Sequence, residues 1–411
     1  MKRSSPNPTG ALSAFALALA LALAVPTALA QPAAAGVTSA ASATIAAADL
    51  PASADRTSLP HPTGPFAVGR ESLHLVDRTR RDPWVPEAGA RELMVGVYYP
   101  AQRGTRTRTP APYATVEEAR LLLADRGMGD AFPAETLSAT ATDAEVDARP
   151  ASGRFPLVLL SPGFGVSAYT LTGLAEELAS RGYVVAAVDH AYESVGTAFP
   201  GGRMLTCVAC DKVRTEADLE AVTAGRAEDA SFVLDRLTGP RSAWRYAALI
   251  DRNRIGMAGH SIGGASSAAA MAADSRVRAG VNIDGAFHSA VPETGLRGRP
   301  FMLLGTGDEV HRPGGTDPSW DQAWARLDGW KRWLTVTGAN HYSFSDIPVF
   351  LDQLGLPGGG LPTGLAGERG LALTRAYVGA FFDLHLKCIP QPWLVGATPA
   401  NPEVRFNNPG R

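Results

Sequence analysis

An α/β fold, with a mostly parallel sheet covered by helices on both faces, is the architecture this sequence predicts. Short apolar runs of strand length alternate with longer segments of helical periodicity. One of those runs leads directly into a glycine-rich serine motif and a helix. Strands sandwiched between crossover helices are buried on both faces, so they read as continuous apolar runs rather than as in–out alternation.

Taken in order, the chain opens on a segment with the marks of an export signal. Lys2 and Arg3 form a positive n-region, Ala11 to Val25 is apolar, and Ala28-Leu29-Ala30 is a small-residue cleavage site. The apolar run is shorter than the roughly 20 residues a helix needs to span a bilayer, so cleavage at 1–30 and secretion are expected, with no stable membrane insertion. Residues 31–58, rich in Ala, Pro, Ser and Thr, are expected to be a disordered linker, because they carry too little apolar surface to offset ordering. Residues 59–411 are expected to form one catalytic domain.

Arg91 to Tyr99 alternates as a strand, with Pro100 as its stop. Phe155 to Leu160 is a buried strand that ends in the sharp turn Ser161-Pro-Gly-Phe-Gly165. Leu171, Leu174, Ala175 and Leu178 mark a helix closed by Gly182. Tyr183 to Val188 is a second buried strand. The segment 190–215 reads as irregular, centred on Gly201-Gly202. Leu219 to Leu237 is a long helix and Arg254 to Ala258 a strand. Val277 to Ile283, Phe301 to Leu304 and Trp333 to Val336 are further strands, and a helix over about 370–386 closes the pattern.

Gly259-His260-Ser261-Ile262-Gly263 matches G-x-S-x-G, with a strand before it and an Ala-rich helix after it. That setting puts Ser261 on a tight strand-to-helix turn, the nucleophile elbow of an α/β-hydrolase fold. A serine hydroxyl needs a base to become a nucleophile, and in this fold class the order is Ser, acid, His. Four histidines follow Ser261. His385 falls in the last helix, and His288 and His311 precede the last strand. His341 follows that strand in Thr337-Gly-Ala-Asn-His, and is the candidate base. Two acids end strands in between, Asp284 in Val281-Asn-Ile-Asp and Asp308 in Gly305-Thr-Gly-Asp. From position Asp308 is the commoner choice, and the residues alone leave the matter open. Backbone N–H groups of Ile262 and of Phe164, in the turn after the first buried strand, are the candidate oxyanion donors. Phe164, Phe287 and Trp320 could equally line an acyl pocket or fill the core.

These residues carry a resemblance. Asp82-Pro-Trp84, Arg91-Glu-Leu93, Tyr98-Tyr-Pro100, Leu160-Ser-Pro-Gly-Phe-Gly165, Leu178 to His190, Phe232 to Leu237, Gly259 to Gly264, Asn282-Ile-Asp-Gly285 and His341 to Asp346 together resemble the platelet-activating factor acetylhydrolase family, plasma (isoform II) type. The likeness spans about Asp82 to Phe382. It implies Asp284 as the acid. It also implies ester hydrolysis through an acyl-enzyme, independent of calcium and with no cofactor, on short-acyl or phospholipid-type esters. The chain departs from the family at Pro162-Gly163, where His-Gly is usual. Asp308 stands where a cutinase-like lipase or polyester hydrolase keeps its acid, which makes that the alternative activity. A non-catalytic binding relative is disfavoured, since Ser261, His341 and an acid are all present.

Composition narrows the partners. With 38 basic and 40 acidic residues the formal net charge is −2, which offers no field for nucleic acid. Arg103, Arg106 and Arg108 sit among Thr, Gly and Pro, as in a solvated loop. The three cysteines include one C-x-x-C, Cys207 and Cys210, without the second ligand pair a zinc site needs. One disulfide among Cys207, Cys210 and Cys388 is expected, its pairing open, with no catalytic role and no metal. A small-molecule or lipid ester is the expected ligand, and oligomeric state is not legible.

Overall fold

The computed structural model describes residues 56–104, 109–129, 132–355 and 364–408. The expected signal at 1–30, the linker up to residue 55, and Arg106 and Arg108 lie outside the described residues. The linker expectation ran to residue 58, but residues 56–58 belong to the described chain. Ser58 bridges to Ala141, and the Thr57 hydroxyl shares a 2.6 Å hydrogen bond with that of Thr140. Leu59 follows directly into an apolar cluster with Tyr113, Leu122 and Phe350, and that burial ties down the residues before it.

The strands are β1 (Ala67–Arg81), β2 (Ala90–Ala101), β3 (Ala144–Val146), β4 (Phe155–Ser161), β5 (Val184–His190), β6 (Thr197–Phe199), β7 (Arg203–Leu205), β8 (Ile250–His260), β9 (Val277–Ile283), β10 (Phe301–Thr306), β11 (Lys331–Val336) and β12 (Val404–Phe406). The helices are α1 (Val116–Asp125), α2 (Ala134–Ser138), α3 (Thr172–Ser180), α4 (Val208–Lys212), α5 (Glu216–Thr238), α6 (Ile262–Ala273), α7 (Ser319–Arg326), α8 (Ile347–Gln353) and α9 (Gly367–Lys387).

Ten strands form one sheet in the order β12-β11-β10-β9-β8-β4-β5-β2-β1-β3. Its centre, from β11 through β5, is parallel, and β12 and β2 join it antiparallel. β2 runs on through Pro100, the expected stop. Its pairing with β5 ends at Tyr98, so the missing N–H falls where only β1 is alongside. The period of two is visible in β4. Leu157 and Leu159 face one core with α5, α6 and α7, whereas Val158 and Leu160 face a second core with α3 and α9. Thr215 and Asp218 cap α5 reciprocally, which starts the helix at a defined residue. The segment 190–215, expected to be irregular, holds the β6–β7 hairpin and α4. Gly201 and Gly202 take φ of 76° and 75° at its turn, a backbone that L side chains rarely adopt.

Candidate active site

β8 ends at His260 and α6 begins at Ile262, so Ser261 makes the whole turn between them. Its backbone lies at φ 56°, ψ −130°, a region that costs of order 1–3 kcal/mol and persists only where the surroundings impose it. Here the Ser261 N–H donates to Ile283 O at 2.8 Å, and Ser261 O accepts from Gly264 N at 2.8 Å. The flanking glycines are steric necessities. A Cβ on Gly259 would fall 2.3 Å from the Gly263 carbonyl, and one on Gly263 would fall 2.1 Å from Ser161 O.

The bond from Ser261 to Ile283 sets the candidate nucleophile beside the end of β9, where Asp284 follows, also at positive φ (56°). Asp284 is 2% exposed and both of its carboxylate oxygens accept hydrogen bonds. Oδ2 accepts from His341 Nδ1 at 2.7 Å, and Oδ1 accepts from Thr306 N at 2.7 Å and from His311 Nδ1 at 2.8 Å. Burial alone would raise this carboxyl, yet the charge and hydrogen bond of His311, and then those of His341, hold it well below the usual carboxylate range. Asp308 does not reach a histidine. It is exposed and accepts from Val310 N at 2.9 Å within its own turn. Of the two acids the sequence offered, the fold brings Asp284 to His341.

His341 starts a short 3-10 turn capped by Asn340, and its side chain is 42% exposed. Its carbonyl accepts from His260 Nε2 at 2.7 Å, so the residue before Ser261 anchors the backbone of the candidate base. Burial, and then the neighbouring His341 ring 4.6 Å away, pushes His260 down to about 3, which keeps it neutral. Among the described residues the Ser261 hydroxyl has no hydrogen-bond partner, His341 included. Catalytic contacts of unliganded sites are often this loose and tighten with substrate.

The turn Pro162–Gly165 packs against the elbow, since a Cβ on Gly163 would lie 3.4 Å from Ser261 Cβ and 3.2 Å from His260 Nδ1. Phe164 N and Ile262 N find no protein acceptor among the described residues, as two oxyanion donors require. A buried ionic network holds this turn from behind, and sequence reasoning missed it. Arg226 donates to Pro162 O and, at 2.8 Å, to Glu193. Glu193 also accepts from Arg91 and Trp84, each at 2.9 Å, and its backbone carbonyl accepts from Gly165 N. Arg91 reaches on to Asp82 and Asp229, each at 2.8 Å. The recurrence of Asp82, Trp84 and Arg91 in the resemblance was the available signal.

Cys207 and Cys210 form a disulfide at the start of α4, and Cys388 is free and exposed. Cys207, Phe164, Trp84 and Leu219 pack about Ala209, Val213, Val222 and Ile262, so a small apolar patch includes both candidate oxyanion residues. Phe287 and Trp320 belong to the core instead. Trp320 is fully buried and donates from Nε1 to Gly285 O at 2.7 Å.

The family model for platelet-activating factor acetylhydrolase, isoform II, matches residues 51–200 and 244–356. A probable 1-alkyl-2-acetylglycerophosphocholine esterase of Arthroderma benhamiae is 30% identical over 375 residues, covering 85% of this chain and 93% of the relative. A platelet-activating factor acetylhydrolase of Cavia porcellus is 22% identical over 223 residues, covering 47% of this chain and 49% of the relative. Among solved structures, a ferulic acid esterase from Streptomyces cinnamoneus superposes with a TM-score of 0.75 at 45% identity, covering 85% of this chain and 99% of that one. With these matches spread along an α/β sheet and its serine elbow, the chain belongs to the platelet-activating factor acetylhydrolase family and is a carboxylic ester hydrolase of the α/β-hydrolase fold.

Proposed function

We propose that the protein is an exported serine esterase in which Ser261, His341 and Asp284 form the triad. The observation that carries this reading is the 2.7 Å bond from His341 Nδ1 to a buried, ionised Asp284, next to a serine on a strained elbow. Asp284 fixes the tautomer that leaves His341 Nε2 free to accept a proton. The Ser261 oxygen attacks the ester carbonyl carbon as its proton passes to His341 Nε2. Phe164 and Ile262 N–H groups receive the negative oxygen of the tetrahedral intermediate. The carbon–oxygen bond to the alcohol then breaks, and His341 returns the proton to that alcohol. Water repeats both steps on the acyl-enzyme and releases the acid.

Esters with a short acyl group on a phospholipid-type backbone are the first substrate class, in keeping with the fungal relative. A hydroxycinnamoyl ester is the second, favoured by the 45% identity to a ferulic acid esterase and by the apolar patch of Phe164, Trp84 and Leu219 beside the elbow. Export is supported by the signal-like residues 1–30 and suits the Cys207–Cys210 disulfide, since such bonds persist in oxidising compartments.

Two experiments test this. Ser261→Ala should abolish labelling by a fluorophosphonate and lower hydrolysis of p-nitrophenyl acetate by a factor on the order of 10⁶; a variant that is still labelled refutes the assignment. A panel of p-nitrophenyl esters from acetate to decanoate, with a 2-acetyl phospholipid, methyl ferulate and a polyester film alongside, ranks the substrates. Turnover confined to short chains and the phospholipid supports the first class, and a clear preference for ferulate supports the second. Erosion of the film would support a cutinase-like enzyme instead.

A further inference from the structure

His311 is buried beside the site and has no part in the cycle above. It sits in the loop between β10 and α7, and its side chain is 8% exposed. Its Nδ1 lies 2.8 Å from Asp284 Oδ1, and its Nε2 lies 3.5 Å from Asp317 Oδ2. Ionised carboxylates accept and cannot donate, so Asp284 fixes a proton on Nδ1, and the Asp317 carboxylate facing Nε2 favours a second proton there. The ring is also fixed in place. Trp320 stacks on it with centroids 4.5 Å apart and planes 21° from parallel, and the Trp333 indole donates to the His311 carbonyl at 2.9 Å. An aromatic face is a favourable seat for a cation.

We propose that His311 is a positioning residue for the hydrolytic reaction: as a permanent imidazolium on the second oxygen of Asp284, it locks the carboxylate and takes up part of its charge. The inference rests on the reading of Asp284 and His341 as acid and base. Asp284 thus bridges two histidines with different duties, one that stays charged and one that cycles. Two donors, Thr306 N and His311 Nδ1, saturate Oδ1, so the carboxylate cannot swing away from His341.

The groups facing both rings agree with this. Around His311 they are Asp284 and Asp317, with Trp320 and Trp333 as the neutral walls. Around His341 they are Asp284, neutral His260, and Tyr342 with Arg126 over its ring. Burial works against the charge on His311, and the two carboxylates overcome it, raising the ring to about 10.

The test has one arm without turnover and one with it. In wild-type enzyme labelled with ¹⁵N-histidine, NMR at pH 8.5 should show one ring with both nitrogens protonated; only neutral rings at that pH would overturn the proposal even if no variant folds. His311→Asn places an amide donor where Nδ1 stands but removes the charge. In that variant the imidazolium signal should vanish. The acidic limb of its kcat/KM profile on p-nitrophenyl acetate should move up by about half a pH unit or more, the direction expected when a cation leaves the neighbourhood of the acid–base pair. KM should stay near the wild-type value while kcat falls. A folded His311→Asn with the wild-type pH profile, whatever its melting temperature, would reduce His311 to a packing role and overturn the proposal. Loss of fluorophosphonate labelling in Ser261→Ala tests the triad separately, so the two readings can fail independently.

Discussion

Two serine–histidine–aspartate sets stand close together in this protein, and they differ in burial and in the groups around the serine. In the first, the Ser161 hydroxyl at the end of β4 lies 3.0 Å from His190 Nε2, and His190 Nδ1 donates to Asp229 at 2.8 Å. That is a complete hydrogen-bonded chain, yet Ser161, His190 and Asp229 are all buried. Burial, and then the charge of Arg226, pulls the His190 ring below its ordinary value, so it resists taking the proton a nucleophile must shed. The second set has a less complete chain, since the Ser261 hydroxyl is unpaired among the described residues. It has what the first lacks: an exposed imidazole edge, a serine on a strained elbow and two free N–H groups beside it. A relay of hydrogen bonds is therefore a poor criterion for a site, and access with preorganised donors is a better one.

The comparison can be broken most strongly at the acids. Asp284→Asn should lower kcat by about 10⁴, because the amide favours the wrong histidine tautomer, whereas Asp308→Asn should leave kcat nearly unchanged. The opposite pattern in p-nitrophenyl acetate kinetics would move the acid to the loop after β10. Replacing Phe164 with proline deletes one oxyanion N–H, and a loss of roughly 10²–10³ in kcat is expected. Activity within a few-fold of wild type would mean that the second donor lies elsewhere. The smallest effect on catalysis should come from the buried set. Ser161→Ala should keep both labelling and turnover. Asp229→Asn should act through stability, costing about 3–5 kcal/mol in denaturant unfolding because it takes one carboxylate charge from a buried network shared by Arg91, Arg80 and His190.

Much of this was legible in the sequence, and the reasons are local. β4 and β5 are buried on both faces over most of their length, so they appear as nearly unbroken apolar runs. Ser261 and Asp284 each directly follow a strand, and His341 lies in the loop after β11, where a short motif and its neighbours reveal the setting. β1 was missed because it lies near the sheet edge, half-exposed and full of Arg, Glu and Asp. β12, three residues at the opposite edge, has no pattern to read. Arg226, Glu193 and Arg91 come from three distant stretches, and only folding shows that they meet behind Pro162. His311 was weighed as a base and set aside by its place before β11. Its contact with Asp284 depends on how the loop after β10 folds back over the end of β9.

The bond from His260 Nε2 to the His341 carbonyl has a mechanical consequence. It ties the segment that carries the candidate base to the residue next to Ser261. Thermal displacement of that segment is then largely common-mode, with both reacting groups drifting together rather than apart. The segment can therefore breathe while the placement of its imidazole is kept by a single tether.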